Sequence, residues 1–205
     1  MLDTLGAILI AAERGIEVSD LPWRRDKTIA LAGSAQLTHL VGTNGFFCSL
    51  LASARHQPGR QLAMWWPARR CAARWGSFVR PDGYGVWIEN SRRTAFLLEH
   101  DTGSEPSGRL ADKVDRYARL FAATEERVWV LFDFPGPGRE AQARRALARP
   151  EVPVATAVLT AGQTAADCVW LPVEVGNQAR PDGRRFRLAD LPKPAAGDMD
   201  GWANG

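Results

Sequence analysis

Two apolar runs separated by a helical pattern constrain the fold of this chain more than any other feature. One run, RTAFLLEHD, covers residues 93–101, and the other, RVWVLFDF, covers residues 127–134. Runs of this kind, apolar with little alternation, are typical of strands that are covered on both faces. The residues between them predict a helix from about 105 to 123. The sequence therefore predicts a strand–helix–strand unit within a mixed sheet.

Further segments extend the same alternation in both directions along the chain. A hairpin-length connection, Asn90-Ser91-Arg92, joins the first run to a strand that precedes it. The other predicted strands and helices are strands over 61–66, 84–89, 152–159 and 169–173, and helices over 5–15, 34–56 and 140–148. Residues 67–76 are expected to be irregular or briefly helical. We predict an α/β fold with a mixed central sheet flanked by helices and a helical N-terminal segment.

The 205 residues suit one compact domain with small appendages. We expect an N-terminal helix and linker over 1–26, an α/β domain over 27–191 and a disordered tail over 192–205, since the tail is rich in Pro, Ala, Gly and Asp. No apolar run approaches the roughly 20 residues of a membrane-spanning helix. The three cysteines lie far apart, which favours a reducing cytoplasm over a disulfide framework or a zinc site.

The charge balance permits nucleic-acid binding without requiring it. The net charge is +3 and the isoelectric point is near 9.0. A basic segment carries four arginines among three tryptophans: Arg69, Arg70, Arg74 and Arg80, beside Trp65, Trp66 and Trp75. These arginines could contact phosphates beside a functional site. Solvated arginines that pack over tryptophan rings fit the same pattern equally well.

Acidic residues cluster at the end of the first apolar run. Successive side chains of a strand point to opposite faces, so Glu99 and Asp101 project to one side and His100 to the other. Two carboxylates so close would repel each other when buried, and a divalent cation relieves that repulsion. Asp82 begins the neighbouring strand and could add a third oxygen ligand. The sequence thus predicts an Mg²⁺ or Mn²⁺ site formed by Asp82, Glu99 and Asp101.

A lysine on the following predicted helix could reach the same acidic cluster. Lys113 lies at the edge of an apolar stripe that includes Leu110, Val114 and Phe121. Its methylenes could lie along the core and deliver the ammonium group to the acids. In a site that cleaves a phosphodiester, such a lysine would stabilise charge on the phosphate or position the attacking water.

Simpler explanations of the same residues stay open. Thr102 and Glu105 have the spacing of a capping box, so residues 101–105 could merely start a helix, and Glu105 fits a cap better than a ligand. The PDG sequence at Asp82 is a common turn signal, and a second copy occurs at 181–183 without acidic neighbours. His39 fits a structural role better than a metal site.

Three motifs together give the chain a family resemblance. They are VRPDGYGVW, FLLEHDTGSEP and LADKVDRYA. With them the chain resembles, over roughly residues 30–175, the replication-relaxation family of plasmid and mobile-element proteins. It is similar in particular to relaxases of one mobilisable-plasmid class, which resemble restriction endonucleases. The resemblance implies a PD-(D/E)xK nuclease core that nicks or relaxes DNA with Mg²⁺ or Mn²⁺.

Residue by residue, the resemblance assigns a catalytic set. Asp82 matches the aspartate of the PD motif and Glu99 the second acid. Asp101 stands where the nuclease motif has lysine, and Lys113 would be the displaced lysine. Tyr117 matches the tyrosine of the helix motif and, with the four arginines, is expected to contact nucleic acid.

Two departures from the family pattern keep an alternative open. The strand lacks the nuclease lysine, and the winged helix that commonly precedes this region would be represented by residues 1–26 alone. A homodimer or a separate DNA-binding subunit would then complete the DNA-reading surface. The alternative function is a non-catalytic DNA-binding or replication-accessory protein with a decayed nuclease fold.

Overall fold

A computed structural model of the chain describes residues 4–21, 34–124, 127–147, 150–173 and 183–194. Contacts between residues divide the chain into two units, Met1–Gly42 and Thr43–Gly205. The predicted domain boundary near residue 26 and the end of the predicted tail, from residue 195, lie outside the described residues. No helix within the described ranges is long and apolar enough to cross a membrane.

Within the described residues, the first unit contains a short N-terminal helix and the first residues of the helix Ala35–His56. Helix α1 spans Thr4–Arg14 and is followed by Gly15, which has a φ of 63°. Glycine adopts this left-handed conformation without the steric cost that a side chain imposes. Ala7, Ala11 and Leu21 form a small apolar cluster. The helical N-terminal segment is thus confirmed.

The second unit is built on an open sheet of six strands in sequential order. The strands are β1 (Arg60–Pro67), β2 (Gly83–Glu89), β3 (Arg92–His100), β4 (Trp129–Asp133), β5 (Val154–Ala157) and β6 (Leu171–Pro172). Strands β3, β4 and β5 pair in parallel, whereas the β1–β2, β2–β3 and β5–β6 pairs are antiparallel. The predicted mixed sheet is confirmed, although β5 and β6 are shorter than predicted.

The β2–β3 hairpin sets the register that brings the acidic motifs together. Asn90 and Ser91 connect the strands with φ values of 49° and 67°. Positive φ at both turn residues is the geometry that matches the twist of a tight hairpin. The resulting register places Gly83 opposite Leu98. Asp82 therefore lies beside the end of β3, next to Glu99.

Four helices accompany this sheet in the described ranges: α2 (Ala35–His56), α3 (Ala68–Trp75), α4 (Ser107–Thr124) and α5 (Pro137–Ala146). Helices α4 and α5 cover one face of the sheet. The apolar stripe of α4 packs with Leu97, Val130 and Phe132 from the strands. The short helix α3 joins the same cluster through Cys71 and Trp75, which explains why the basic segment is helical.

The other face of the sheet is covered by α2 and by the segment near the C-terminus. Phe46, Phe47 and Leu50 of α2 pack with Phe96 and Leu131 of the strands. Trp170 and Leu188 complete this second cluster. The apolar run of β3 alternates between the two clusters, and this is why it shows no polar face in the sequence.

Candidate functional site

The carboxylate of Glu99 is the centre of the acidic end of the sheet. Its side chain is 2% exposed at the end of β3. Lys113 donates a hydrogen bond from Nζ to Oε2 at 2.9 Å, and the hydroxyl of Tyr117 donates to Oε1. Because Lys113 and Tyr117 are four residues apart on α4, both reach the sheet from one side of that helix. Both oxygens of Glu99 are therefore bonded to groups of the same helix.

Burial and charge set the ionisation of this group. Burial raises the pKa of Glu99 from 4.5 to about 7, the charge of Lys113 opposes this rise, and the charge of Asp82 adds to it. Burial alone would lower the pKa of Lys113, but the charge of Glu99 outweighs it and raises that pKa above its ordinary value. Burial also raises the pKa of Tyr117 well above 10. Tyr117 therefore stays protonated and donates to Glu99.

Asp82 lies beside Glu99, where the hairpin register brings it. Its carboxylate accepts the main-chain N–H of His100 at 2.9 Å, and its own N–H donates to the carbonyl of Leu98 at 3.0 Å. Asp82 is half-buried. The structure thus brings together three predicted residues: Asp82, Glu99 and Lys113.

Asp101 forms a different partnership from the predicted one. Its side chain is 2% exposed and pairs with Arg139 of α5, with 2.6 Å between Nη2 and Oδ2. The N–H of Gly103 also donates to this carboxylate, and Arg139 donates to the carbonyl of Glu105. Asp101 therefore links the loop before α4 to helix α5 through Arg139.

Glu105 has a secondary role, and the predicted cap does not form. Its Oε2 lies 3.6 Å from Nζ of Lys113, which is an ion-pair distance without a short hydrogen bond. Helix α4 begins at Ser107, two residues later than predicted. The hydroxyl of Thr102 bonds instead to that of Ser104 at 3.1 Å.

The three predicted ligands do not fit a common metal centre. The described ranges contain no group of three or more His, Cys, Asp or Glu side chains that could hold a metal ion. Both oxygens of Glu99 are bonded within the protein, and Asp101 is paired with Arg139. The three-ligand arrangement of Asp82, Glu99 and Asp101 is thus not formed, because Asp101 pairs with Arg139. The internal cations Lys113 and Arg139 relieve the repulsion between the acids, and metal binding at Asp82 and Glu99 stays a prediction.

A histidine–aspartate pair stands at the same end of the sheet. Nδ1 of His100 lies 2.9 Å from Oδ2 of Asp133, and the two residues are partners in the parallel β3–β4 register. Their side chains are 17% and 8% exposed. The alternation of β3 predicts correctly that His100 points away from Glu99. Asp133 was missed, and the signal that could have found it is its position at the end of the neighbouring parallel strand.

The four arginines of the basic segment lie at the surface. Arg69, Arg70 and Arg74 of α3 and the following Arg80 are exposed. The guanidinium of Arg70 lies 4.2 Å from the centroid of the Trp66 ring. Packing of arginine on tryptophan is thus present at Arg70, and phosphate contact by the four arginines stays a prediction. Tyr117, in contrast, is 0% exposed and cannot contact nucleic acid, which corrects that prediction.

Comparison with known proteins gives one match. A family model described as replication-relaxation matches residues 2–129. This range includes Asp82, Glu99, Lys113 and all of α3. No curated protein and no solved structure matches the chain. The predicted PD-(D/E)xK core therefore stays a prediction.

The raised pKa of Glu99 predicts a specific pH dependence of stability. Since the folded pKa is about 7 and the ordinary value is 4.5, the folded state binds more protons than the unfolded state between these pH values. The free energy of unfolding should therefore fall as pH rises through this window. Between pH 4.5 and pH 8, the wild type should lose on the order of 2 kcal/mol relative to Glu99→Gln.

Urea unfolding at a series of pH values measures this difference. Glu151→Gln is the matched control, because it removes the same charge from an exposed residue that lies outside the Glu99 site. The free energy of unfolding of this control should change with pH as that of the wild type does. Parallel curves for the wild type and Glu99→Gln would show that Glu99 titrates normally.

Proposed function

The chain belongs to the replication-relaxation family, and on this premise we propose that it binds plasmid or mobile-element DNA through an arginine surface during replication or relaxation. The arginine surface comprises Arg69, Arg70, Arg74 and Arg80. The observation that carries the proposal is a contrast in charge placement. The acids Glu99 and Asp101 are bonded to Lys113 and Arg139 inside the protein, whereas all four arginines of this surface are exposed.

The packing of α3 supports this role, because it presents the arginines from a fixed base. Cys71 and Trp75 are buried one helical turn apart. The Trp75 ring lies 5.6 Å from the ring of Trp66 and 5.6 Å from that of Tyr84. Helix α3 contains no acidic residue. Arginine presents several N–H donors in a planar fork, which suits phosphate oxygens.

The state of the acids favours binding over catalysis. Their pairing with internal cations keeps these carboxylates from repelling phosphates. A net charge of +3 is small for tight autonomous binding. A homodimer or a separate DNA-binding subunit, as the sequence predicts, would supply further phosphate contacts. The function that the geometry supports best is that of a non-catalytic DNA-binding accessory protein.

Truncation of single arginines should test this binding mode. We expect Arg69→Ala and Arg74→Ala each to weaken binding to duplexes of any sequence, and each to reduce the salt slope by about 1, because one phosphate contact is lost. Fluorescence anisotropy with a labelled duplex between about 50 and 200 mM salt measures both effects. Arg119→Ala removes an exposed arginine of α4 and is the matched control. Equal losses in all three variants would contradict a specific surface on α3.

Metal-dependent nicking of DNA is a second candidate, and the approach of Asp82 to the Glu99–Lys113 pair favours it. The Asp82 charge raises the pKa of Glu99, which reflects their proximity. An aspartate, a glutamate and a lysine are also the residue types that the PD-(D/E)xK resemblance implies. Mg²⁺ often binds through only one or two carboxylates and completes its shell with water. Asp82 and Glu99 are therefore the ligands that this candidate requires.

Incubation with supercoiled plasmid and Mg²⁺ or Mn²⁺ separates the two candidates. As a binding protein, the wild type should leave the supercoiled fraction unchanged, since the acids are already matched by internal cations. Nicking that is lost in Asp82→Asn and Glu99→Gln would establish the nuclease instead. It should then persist in Asp112→Asn, which removes an exposed carboxylate of α4. Equal nicking by every preparation would indicate a contaminating nuclease.

A further inference from the structure

A second charged site lies at the opposite end of the sheet from Glu99, where β3 and β4 begin. Residues 91–95, 127–129 and 189–194 enclose a cavity of about 470 Å³, which we call the basic groove. Four of its lining residues are cationic: Arg92, Arg93, Arg127 and Lys193. One lining residue, Asp190, is acidic and pairs with Arg92.

The cations of the basic groove divide into fixed and available groups. Arg127 donates from Nη1 to the carbonyl of Phe121 at 2.7 Å, which fixes its guanidinium. Arg93 and Lys193 are exposed, and within the described ranges neither forms an ion pair. These two side chains can therefore meet an anion without breaking an existing bond there.

The wall of the basic groove is tied to the strands. Nε1 of Trp129 donates to the carbonyl of Pro192 at 3.0 Å. Leu188 and Leu191 are buried in the apolar cluster on this face of the sheet. The Arg92–Asp190 pair adds a contact across the cavity. The site is thus formed before a ligand arrives, which reduces the entropy cost of binding.

The size and chemistry of the basic groove define the ligand. A volume of about 470 Å³ lies within the usual range of about 300–1,000 Å³ for small-ligand sites. Trp129 is 6% exposed and offers no open ring for base stacking. Recognition would therefore rest on phosphate groups.

We propose that the basic groove binds the phosphates of a single, unpaired nucleic-acid strand. Its guanidinium and ammonium groups would neutralise successive phosphates along the strand. The groove is separate from the arginine surface of α3, so a result that contradicts binding at one site leaves the proposal for the other site intact. Free nucleotides carry the same phosphate chemistry, and the experiment distinguishes them from a strand.

Fluorescence anisotropy with labelled oligothymidylate tests this assignment on the full chain. Arg93→Glu and Lys193→Glu should each weaken single-strand binding at least about 10-fold, because each replaces an attraction by a repulsion. Arg93→Gln should show a smaller loss, and unchanged circular dichroism spectra would show that the variants fold. Arg119→Glu is the matched control and should bind as the wild type does.

Three results would overturn the proposal. They are wild-type affinity in both charge-reversal variants, absence of single-strand binding by the wild type, and an equal loss in Arg119→Glu. Thymidine triphosphate, used as a competitor, identifies the ligand source. If thymidine triphosphate binds in an Arg93-dependent manner and no strand binds, the groove is a site for a free nucleotide. This result would overturn the proposal that the groove binds a single strand. Duplex binding by Arg69→Ala reports separately on the arginine surface.

Discussion

A buried carboxylate at the end of a central strand must find cations or hydrogen-bond donors, because its burial alone costs several kcal/mol. Glu99 satisfies this requirement with Lys113 and Tyr117, which reach it from successive turns of α4. The need to satisfy this group therefore favours one placement of α4 on the sheet. Asp101 makes the corresponding contact to α5 through Arg139.

The same constraint decides which charges face outward. The acids at the carboxyl end of β3 are matched by internal cations and contribute little repulsion toward DNA. Arginines lie exposed on α3, and further cations line the groove where β3 and β4 begin. The DNA binding that we propose would use these two surfaces, and it would not require the buried acids as catalysts.

Local sequence patterns predict the fold better than they predict the site. The β2–β3 hairpin and the β3–α4–β4 unit follow from apolar periodicity and turn residues, and so does the proximity of Asp82 to Glu99. The partner of Asp101 could not be predicted, since Arg139 lies 38 positions away in the sequence, on helix α5. The pairing of His100 with Asp133 likewise depends on the parallel register. Sequence reasoning found the acids that needed partners and missed partners that the tertiary fold supplies.

A double-mutant cycle between Glu99 and Lys113 tests the central claim that an internal ion pair satisfies the buried acid. At pH 8, Lys113→Met should cost about 3 kcal/mol of unfolding free energy, because it leaves a buried carboxylate without its cation. The same substitution should cost less than about 1 kcal/mol when Glu99→Gln is already present, which is a coupling of about 2 kcal/mol. Equal costs of Lys113→Met in both backgrounds would contradict the account.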